Sequence, residues 1–314
     1  MSKIVIVMGY NAAGKSTLVE EYVKDGYIRV NRDEMGGSLD SQATHARMVL
    51  ETGHNVVLDN TYPTIESRKS IIETAKNCKS TIECVWLKTE FEDAQLNACL
   101  RMVQKYGRLI SPEEFKVLSP KNPNCFPPAA LFNYRKIFEA PSEAEGFDVV
   151  IEREFVRVWP KEHKNKAIIL DYDGTLRIST GKQEWPEKPE DVSVLPGRKE
   201  RLAECVKQGY ILLGASNQSA IAKGLSSDDV LYCFKKTNDL LGQKIEIMFC
   251  PHKIPPVTCY CRKPYPGMGA YFIVKHKLNP SECIMVGDQT SDQTFASRCG
   301  FQYQSADKFF GDQK

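Results

Sequence analysis

At 314 residues, with 42% apolar and 26% charged side chains, the chain exceeds what one hydrophobic core usually holds, so two domains are expected. Its net charge of +2 divides into 20 basic against 22 acidic residues over 1–160 and 22 against 18 over 161–314, which excludes a bulk polyanion-binding half and makes any nucleic-acid contact local. No run approaches about 18 apolar residues and MSKIVIVMGY leads straight into a loop motif, so neither a membrane span nor a signal peptide is expected, and the eleven cysteines point to a reducing intracellular compartment, cytoplasm or nucleus.

In chain order, KIVIVM, NVVLD (55–59) and IECVWL (82–87) read as short buried strands. Between them STLVEEYV, SQATHARMVLETG and SRKSIIETAKN carry helical periodicity, which is the rhythm of a parallel sheet covered on both faces. KNPNCFPPAA (121–130) reads as a rigid, exposed loop. After the charged stretch EFVRVWPKEHKNK a second cycle begins: AIILDYDGT, a helix in GRKERLAECVKQG, the strand YILLGAS and a later strand ECIMVGD. The expected architecture is therefore α/β, two domains each built on a mainly parallel sheet with helices on both faces, over 1–159 and 165–314.

The first loop, GYNAAGKST, fits G-x-x-x-x-G-K-[ST] after a strand and at a helix start. Backbone around Gly9, Asn11, Ala12, Ala13, Gly14, Lys15, Ser16 and Thr17 would cradle the phosphates of ATP; Lys15 neutralises the β/γ charge and the Ser16 hydroxyl completes a Mg²⁺ shell. In VNRDE (30–34), Asp33 follows a second strand and is either a base for an attacking hydroxyl or a helix N-cap. Asp59, ending VVLDNT, would hold Mg²⁺ through water or orient the loop, or form a turn with its neighbour asparagine. NACLRMVQKYGR carries Arg101 and Arg108 in a candidate lid.

GYNAAGKST, VNRDEMG, VVLDNT, NACLRM and YRKIFEAPSEAEGF, in this order over residues 1 to about 158, resemble the kinase domain of polynucleotide 5′-kinase/3′-phosphatases. The resemblance implies that Asp33 is the general base for a 5′-hydroxyl and that the lid arginine, Arg101, stabilises the transferred phosphate. An arginine that some relatives use shortly after this aspartate is a glycine here, in MGG.

In the second half, DYDGT places Asp171 and Asp173 at a strand end, where Asp171 would attack phosphorus and Asp173 would protonate the leaving oxygen. Ser216 in LLGASNQ and Lys263 in CRKP would bind phosphoryl oxygens, and Asp288, which VGDQTSD carries four residues before Asp292, would complete a Mg²⁺ site with Asp171 and Asp173. The set resembles haloacid dehalogenase-superfamily phosphatases over about 165–304. In FCPHKIPPVTCYC, the pairs Cys250/His252 and Cys259/Cys261 suit a closed, structural Zn²⁺ site over 250–261. A similar loop occurs in the histidinol-phosphate and heptose-bisphosphate branch of that superfamily. Cys84 and Cys205 read as core or surface residues.

The expected function is healing of DNA or RNA ends, phosphorylating a 5′-hydroxyl and removing a 3′-phosphate. The alternatives are a kinase–phosphatase fusion acting on a small phosphorylated metabolite, and a non-catalytic end-binding adaptor, against which the intact catalytic carboxylates argue.

Overall fold

A computed structural model describes residues 2–311, so the last three residues of the expected second domain lie outside the description. The chain divides into two compact units, 1–98 with 116–157, and 99–115 with 158–314. The main switch falls at 157/158. The stretch Cys99–Phe115, which the sequence places inside the first domain, groups instead with the second.

The first unit runs β1 (Lys3–Met8), α1 (Lys15–Lys24), β2 (Ile28–Val30), α2 (Arg32–Met35), α3 (Leu39–Glu51), β3 (Val56–Asp59), α4 (Ile65–Asn77), β4 (Thr81–Lys88), α5 (Phe91–Tyr106), α6 (Pro112–Leu118), α7 (Pro128–Ile137) and β5 (Val149–Glu154); α5 and α6 each run past the unit's limits. Its strands pair in the order β2-β3-β1-β4-β5, all parallel. Alternate residues of β1 face opposite sides, as the two-residue period of a strand requires. Ile4, Ile6 and Met8 pack with Ala46 of α3 and Ile71 of α4, whereas Val5 and Val7 pack with Leu18 and Val19 of α1. Each such burial contributes about 1.5–3 kcal/mol, which is why these strands read as unbroken apolar runs.

The loop 121–130 differs from the expectation of an exposed connection. Cys125 and Phe126 are buried, and Pro128 already opens α7. The two apolar side chains anchor the loop while its asparagines and lysine stay outside.

The second unit continues with β6 (Ala167–Leu170), β7 (Arg177–Ser179), β8 (Val192–Val194), α8 (Arg198–Lys207), β9 (Ile211–Asn217), α9 (Ser227–Leu241), β10 (Glu246–Cys250), α10 (Gly267–His276), β11 (Ile284–Gly287), α11 (Thr290–Cys299), β12 (Gln302–Ser305) and α12 (Ala306–Phe310). Its parallel sheet has the order β10-β9-β6-β11-β12, with β7 and β8 forming a separate antiparallel hairpin. Ala167 and Ile169 face Met268 and Phe272 of α10; Ile168 and Leu170 face Leu202 of α8 and Phe234 of α9. Cys84 and Cys205 are both core residues. Among the described residues no helix is long and apolar enough to cross a membrane.

Candidate functional site

Each unit gathers its polar groups at the carboxyl ends of its central parallel strands, where open α/β sheets place ligands. In the first unit the loop 9–14 links β1 to α1. Gly9 has φ 145°, and a Cβ there would stand 2.8 Å from the carbonyl oxygen of Leu87, so no other residue fits the turn. Thr89 donates to the Ala13 carbonyl (2.8 Å) and Asn97 to the Ala12 carbonyl (2.8 Å), holding the loop from outside. Gly14, the N-cap of α1, offers no side-chain cap, so the amide donors of the first helical turn face the loop. Lys15 Nζ donates to the carbonyls of Gly9 (3.1 Å) and Tyr10 (2.7 Å), which places the ammonium across the mouth of the loop.

Ser16 Oγ donates to Asp59 Oδ2 at 3.0 Å. Asp59 also accepts from Arg29 Nη2 at 2.6 Å, and its backbone carbonyl accepts from Asn31 Nδ2 at 2.8 Å. Asp59 therefore orients the loop directly, and Arg29 is its charge partner. Asn31 settles the VNRDE ambiguity in part. Its Oδ1 accepts the N–H groups of Asp33 (2.7 Å) and Glu34 (3.3 Å), so Asn31 is the N-cap of α2 and Asp33 is not. The exposed Asp33 carboxylate has no hydrogen-bond or ion-pair partner among the described residues.

The two arginines of the expected lid behave differently. Arg101 is half-buried on α5. Arg108 forks onto Glu114, whose Oε2 also accepts the Ser111 N–H (3.0 Å), so Arg108 braces its own loop. The motif YRKIFEAPSEAEGF gains a structural explanation. Arg68 is fully buried, donating Nε and Nη2 to the two oxygens of Glu145 (2.7 and 2.8 Å) and Nη1 to the carbonyls of Tyr62 and Glu139 (3.0 and 3.1 Å). This clasp ties the motif to α4 and to the turn after β3.

In the second unit a cleft of about 400 Å³ is lined by Asp171, Asp173, Ser216, Lys263, Asp288 and Trp185, among others. Asp171 follows β6, and its N–H donates to the Val286 carbonyl of β11 (2.9 Å). Lys263, 3% exposed, reaches Asp171 and Asp292 at 2.6 Å each. Asn217 locks the Lys263 backbone by donating to its carbonyl (3.1 Å) and accepting its N–H (3.0 Å). Burial pushes the Asp171 carboxyl up to about 7 against the pull of Lys263. For Lys263 burial works downward, but Asp171 and Asp292 outweigh it and raise its pKa above the ordinary lysine value.

Asp173 departs from the expected ligand set. Its Oδ1 accepts from buried Arg177 (2.8 Å) and its Oδ2 from Gln218 (2.8 Å), whose amide also donates to Ser216 Oγ (2.9 Å). The carboxylates brought together are instead Asp171, Asp288 and Asp292, each with an oxygen within 4.8 Å of the others'. Three clustered carboxylates, two of them on the ammonium of Lys263, leave a net negative charge, and an all-oxygen set is what Mg²⁺ takes. Asp292, four residues after Asp288 in the first turn of α11, was visible in VGDQTSD without an assigned role. Arg177, Gln218, Arg29 and Asn97 carried no sequence signal.

The four expected zinc ligands meet. Cys250 Sγ lies 3.4 Å from His252 Nδ1 and 3.7 Å from Cys259 Sγ, and His252 Nδ1 lies 3.2 Å from Cys261 Sγ. A tetrahedral zinc with Zn–S bonds of about 2.3 Å requires S···S edges of about 3.8 Å, so the donor set fits. Crowding sets the thiols against each other, raising Cys250 and Cys261 and lowering Cys259 through their mutual hydrogen bonds.

Residues 4–101 match the family model of an AAA domain, and residues 166–313 match that of the Polynucleotide kinase 3 phosphatase. The chain is 36% identical over 138 residues to the D-glycero-beta-D-manno-heptose-1,7-bisphosphate 7-phosphatase of Haemophilus influenzae, covering 41% of this chain and 73% of that protein. It is 33% identical over 155 residues to the Bifunctional polynucleotide phosphatase/kinase of Schizosaccharomyces pombe, covering 49% of this chain and 34% of that one. Similar solved structures include a D,D-heptose 1.7-bisphosphate phosphatase from B. bronchiseptica complexed with magnesium and phosphate (29% identity, 44% of this chain and 78% of that chain, TM-score 0.40). Another is a chain of the Pnkp1/Rnl/Hen1 RNA repair complex (15% identity, 97% and 95%, TM-score 0.33). The chain thus joins a P-loop unit that matches the AAA domain model to an aspartate-based unit that matches the Polynucleotide kinase 3 phosphatase model, a kinase domain followed by a phosphatase domain.

Proposed function

We propose that the chain heals nucleic-acid ends, transferring the γ-phosphoryl group of ATP to a 5′-hydroxyl and hydrolysing a 3′-phosphate of DNA or RNA. The observation that carries this reading is the pairing, in one chain, of a unit that holds both a P-loop and the Asp33 carboxylate, unpartnered among the described residues, with a phosphatase unit that matches the polynucleotide kinase 3 phosphatase model.

In the kinase step Asp33 takes the proton of the 5′-hydroxyl as its oxygen attacks the γ-phosphorus, and the bond to the β-γ bridging oxygen breaks. Lys15 exchanges the Gly9 and Tyr10 carbonyls for phosphate oxygens, and Arg101 stabilises the transferred group. Ser16 and Asp59 would hold Mg²⁺, which neutralises phosphate charge. In the phosphatase step Asp171 attacks phosphorus, the ester bond breaks, and Asp173, oriented by Arg177 and Gln218, gives its proton to the leaving 3′-oxygen. Water, deprotonated by Asp173, then cleaves the aspartyl phosphate. Lys263 and Ser216 bind the phosphoryl oxygens. Asp171, Asp288 and Asp292 would hold a second Mg²⁺ that offsets developing charge.

A second reading, a kinase–phosphatase acting on a phosphorylated sugar, is favoured by the identity to the heptose bisphosphate phosphatase and by the four-ligand loop. Side-by-side assay separates them. Oligonucleotides with 5′-hydroxyl and 3′-phosphate ends should be turned over with higher kcat/KM than heptose 1,7-bisphosphate or histidinol phosphate; preference for either small phosphate would replace the nucleic-acid reading.

A further inference from the structure

The segment Cys99–Phe115 packs inside the second unit, and it does so around the metal loop. Cys99 is fully buried, and Leu100 packs against the cluster of Met268, Phe272 and Cys299. Leu109 lies against Gly267, where a Cβ would come 2.9 Å from Leu109 Cδ1 and 2.4 Å from the carbonyl oxygen of Tyr260. That carbonyl accepts the Gly267 N–H at 3.0 Å. Phe115, 3% exposed, sets its ring edge-on to that of Tyr260, with centroids 6.2 Å apart. Tyr260, 1% exposed, stands between Cys259 and Cys261, two of the four candidate ligands. One residue is thus held on one side by the ligand pair and on the other by the segment.

We propose that zinc on Cys250, His252, Cys259 and Cys261 fixes Cys99–Phe115 through Tyr260, so that the phosphatase unit's metal loop positions the segment carrying Arg101 and Arg108. Residues 253–256 of the loop are exposed and contribute nothing to the core, so without a cation the four crowded donors have no cross-link to close the loop. Tyr260 then loses its fixed place, and Phe115 and Leu109 lose the surface they rest on.

Hydrogen exchange read by mass spectrometry on the full chain tests it, comparing zinc-loaded protein with protein stripped by a zinc-selective chelator at constant Mg²⁺. Peptides covering 99–115 should exchange roughly tenfold faster or more without zinc, and recover when zinc is restored, while β1 and β3 peptides keep their protection. Phe115→Ala should loosen the same peptides with zinc stoichiometry unchanged, which separates the contact from metal binding. Equal protection of 99–115 with and without zinc, with metal analysis confirming removal, overturns the proposal.

Discussion

Replacing Asp33 by asparagine isolates the acceptor chemistry, because the structure leaves that side chain little else to do. Its carboxylate is exposed and has no partner among the described residues, and its backbone N–H is bound by Asn31, whose side chain the substitution does not touch. The α2 helix is four residues long, so the loss of one first-turn negative charge should cost at most a few tenths of a kcal/mol. A positioned general base contributes about 10²- to 10⁴-fold in rate, which is about 3–5 kcal/mol of barrier. The two magnitudes differ enough to decide. With saturating γ-labelled ATP and a 5′-hydroxyl oligonucleotide, Asp33→Asn should lose at least 100-fold in kcat while its melting temperature and ATP affinity stay near the parent's. A kcat within about threefold of the parent, far below the loss of a base, refutes the base assignment, and a helix-capping role cannot be substituted for it because Asn31 already fills it.

The two chemistries should come apart. Lys15→Ala should abolish transfer from ATP and leave 3′-dephosphorylation near normal, and Asp171→Asn should do the reverse; loss of both activities in either folded variant contradicts two independent sites. Cys259→Ser should lower zinc below one per chain by metal analysis and reduce the thermal stability of the phosphatase unit, whereas undiminished zinc in the variant removes Cys259 from the ligand set. Arg68→Leu leaves the carboxylate of Glu145 buried without its partner and should cost about 3–5 kcal/mol in denaturant unfolding, much of it recovered in Arg68→Leu/Glu145→Leu. A cost under about 1 kcal/mol, the range of an exposed pair, would show that the pair is not buried in solution.

What the sequence disclosed follows from how each feature is encoded. The P-loop and DYDGT are local: spacing within nine or five residues, flanked by a buried strand, carries the geometry, so Gly9, Lys15, Ser16 and Asp171 stand where the spacing puts them. The four candidate metal ligands are local too, within twelve residues. Contacts between distant side chains have no periodicity to betray them. Arg29 meets Asp59 across 30 residues, Arg68 meets Glu145 across 77, and Gln218 meets Asp173 across 45. The DYDGT motif could place Asp173 at a strand end, but not reveal that Arg177 and Gln218 turn its carboxylate from the cluster that Asp292 joins. The packing of Cys99–Phe115 was invisible for another reason. An amphipathic helix announces that one face is buried and says nothing about which core buries it, so chain order assigned α5 wholly to the first domain.

The central claim is tested most directly with one oligonucleotide bearing a 5′-hydroxyl and a 3′-phosphate, its two ends identified by mass spectrometry of terminal fragments after incubation with the full chain and Mg²⁺. Without ATP the account predicts loss of the 3′-phosphate alone, and with ATP a product carrying a 5′-phosphate and a 3′-hydroxyl. An oligonucleotide recovered with both original ends intact, from enzyme that hydrolyses heptose 1,7-bisphosphate in the same buffer, would contradict it.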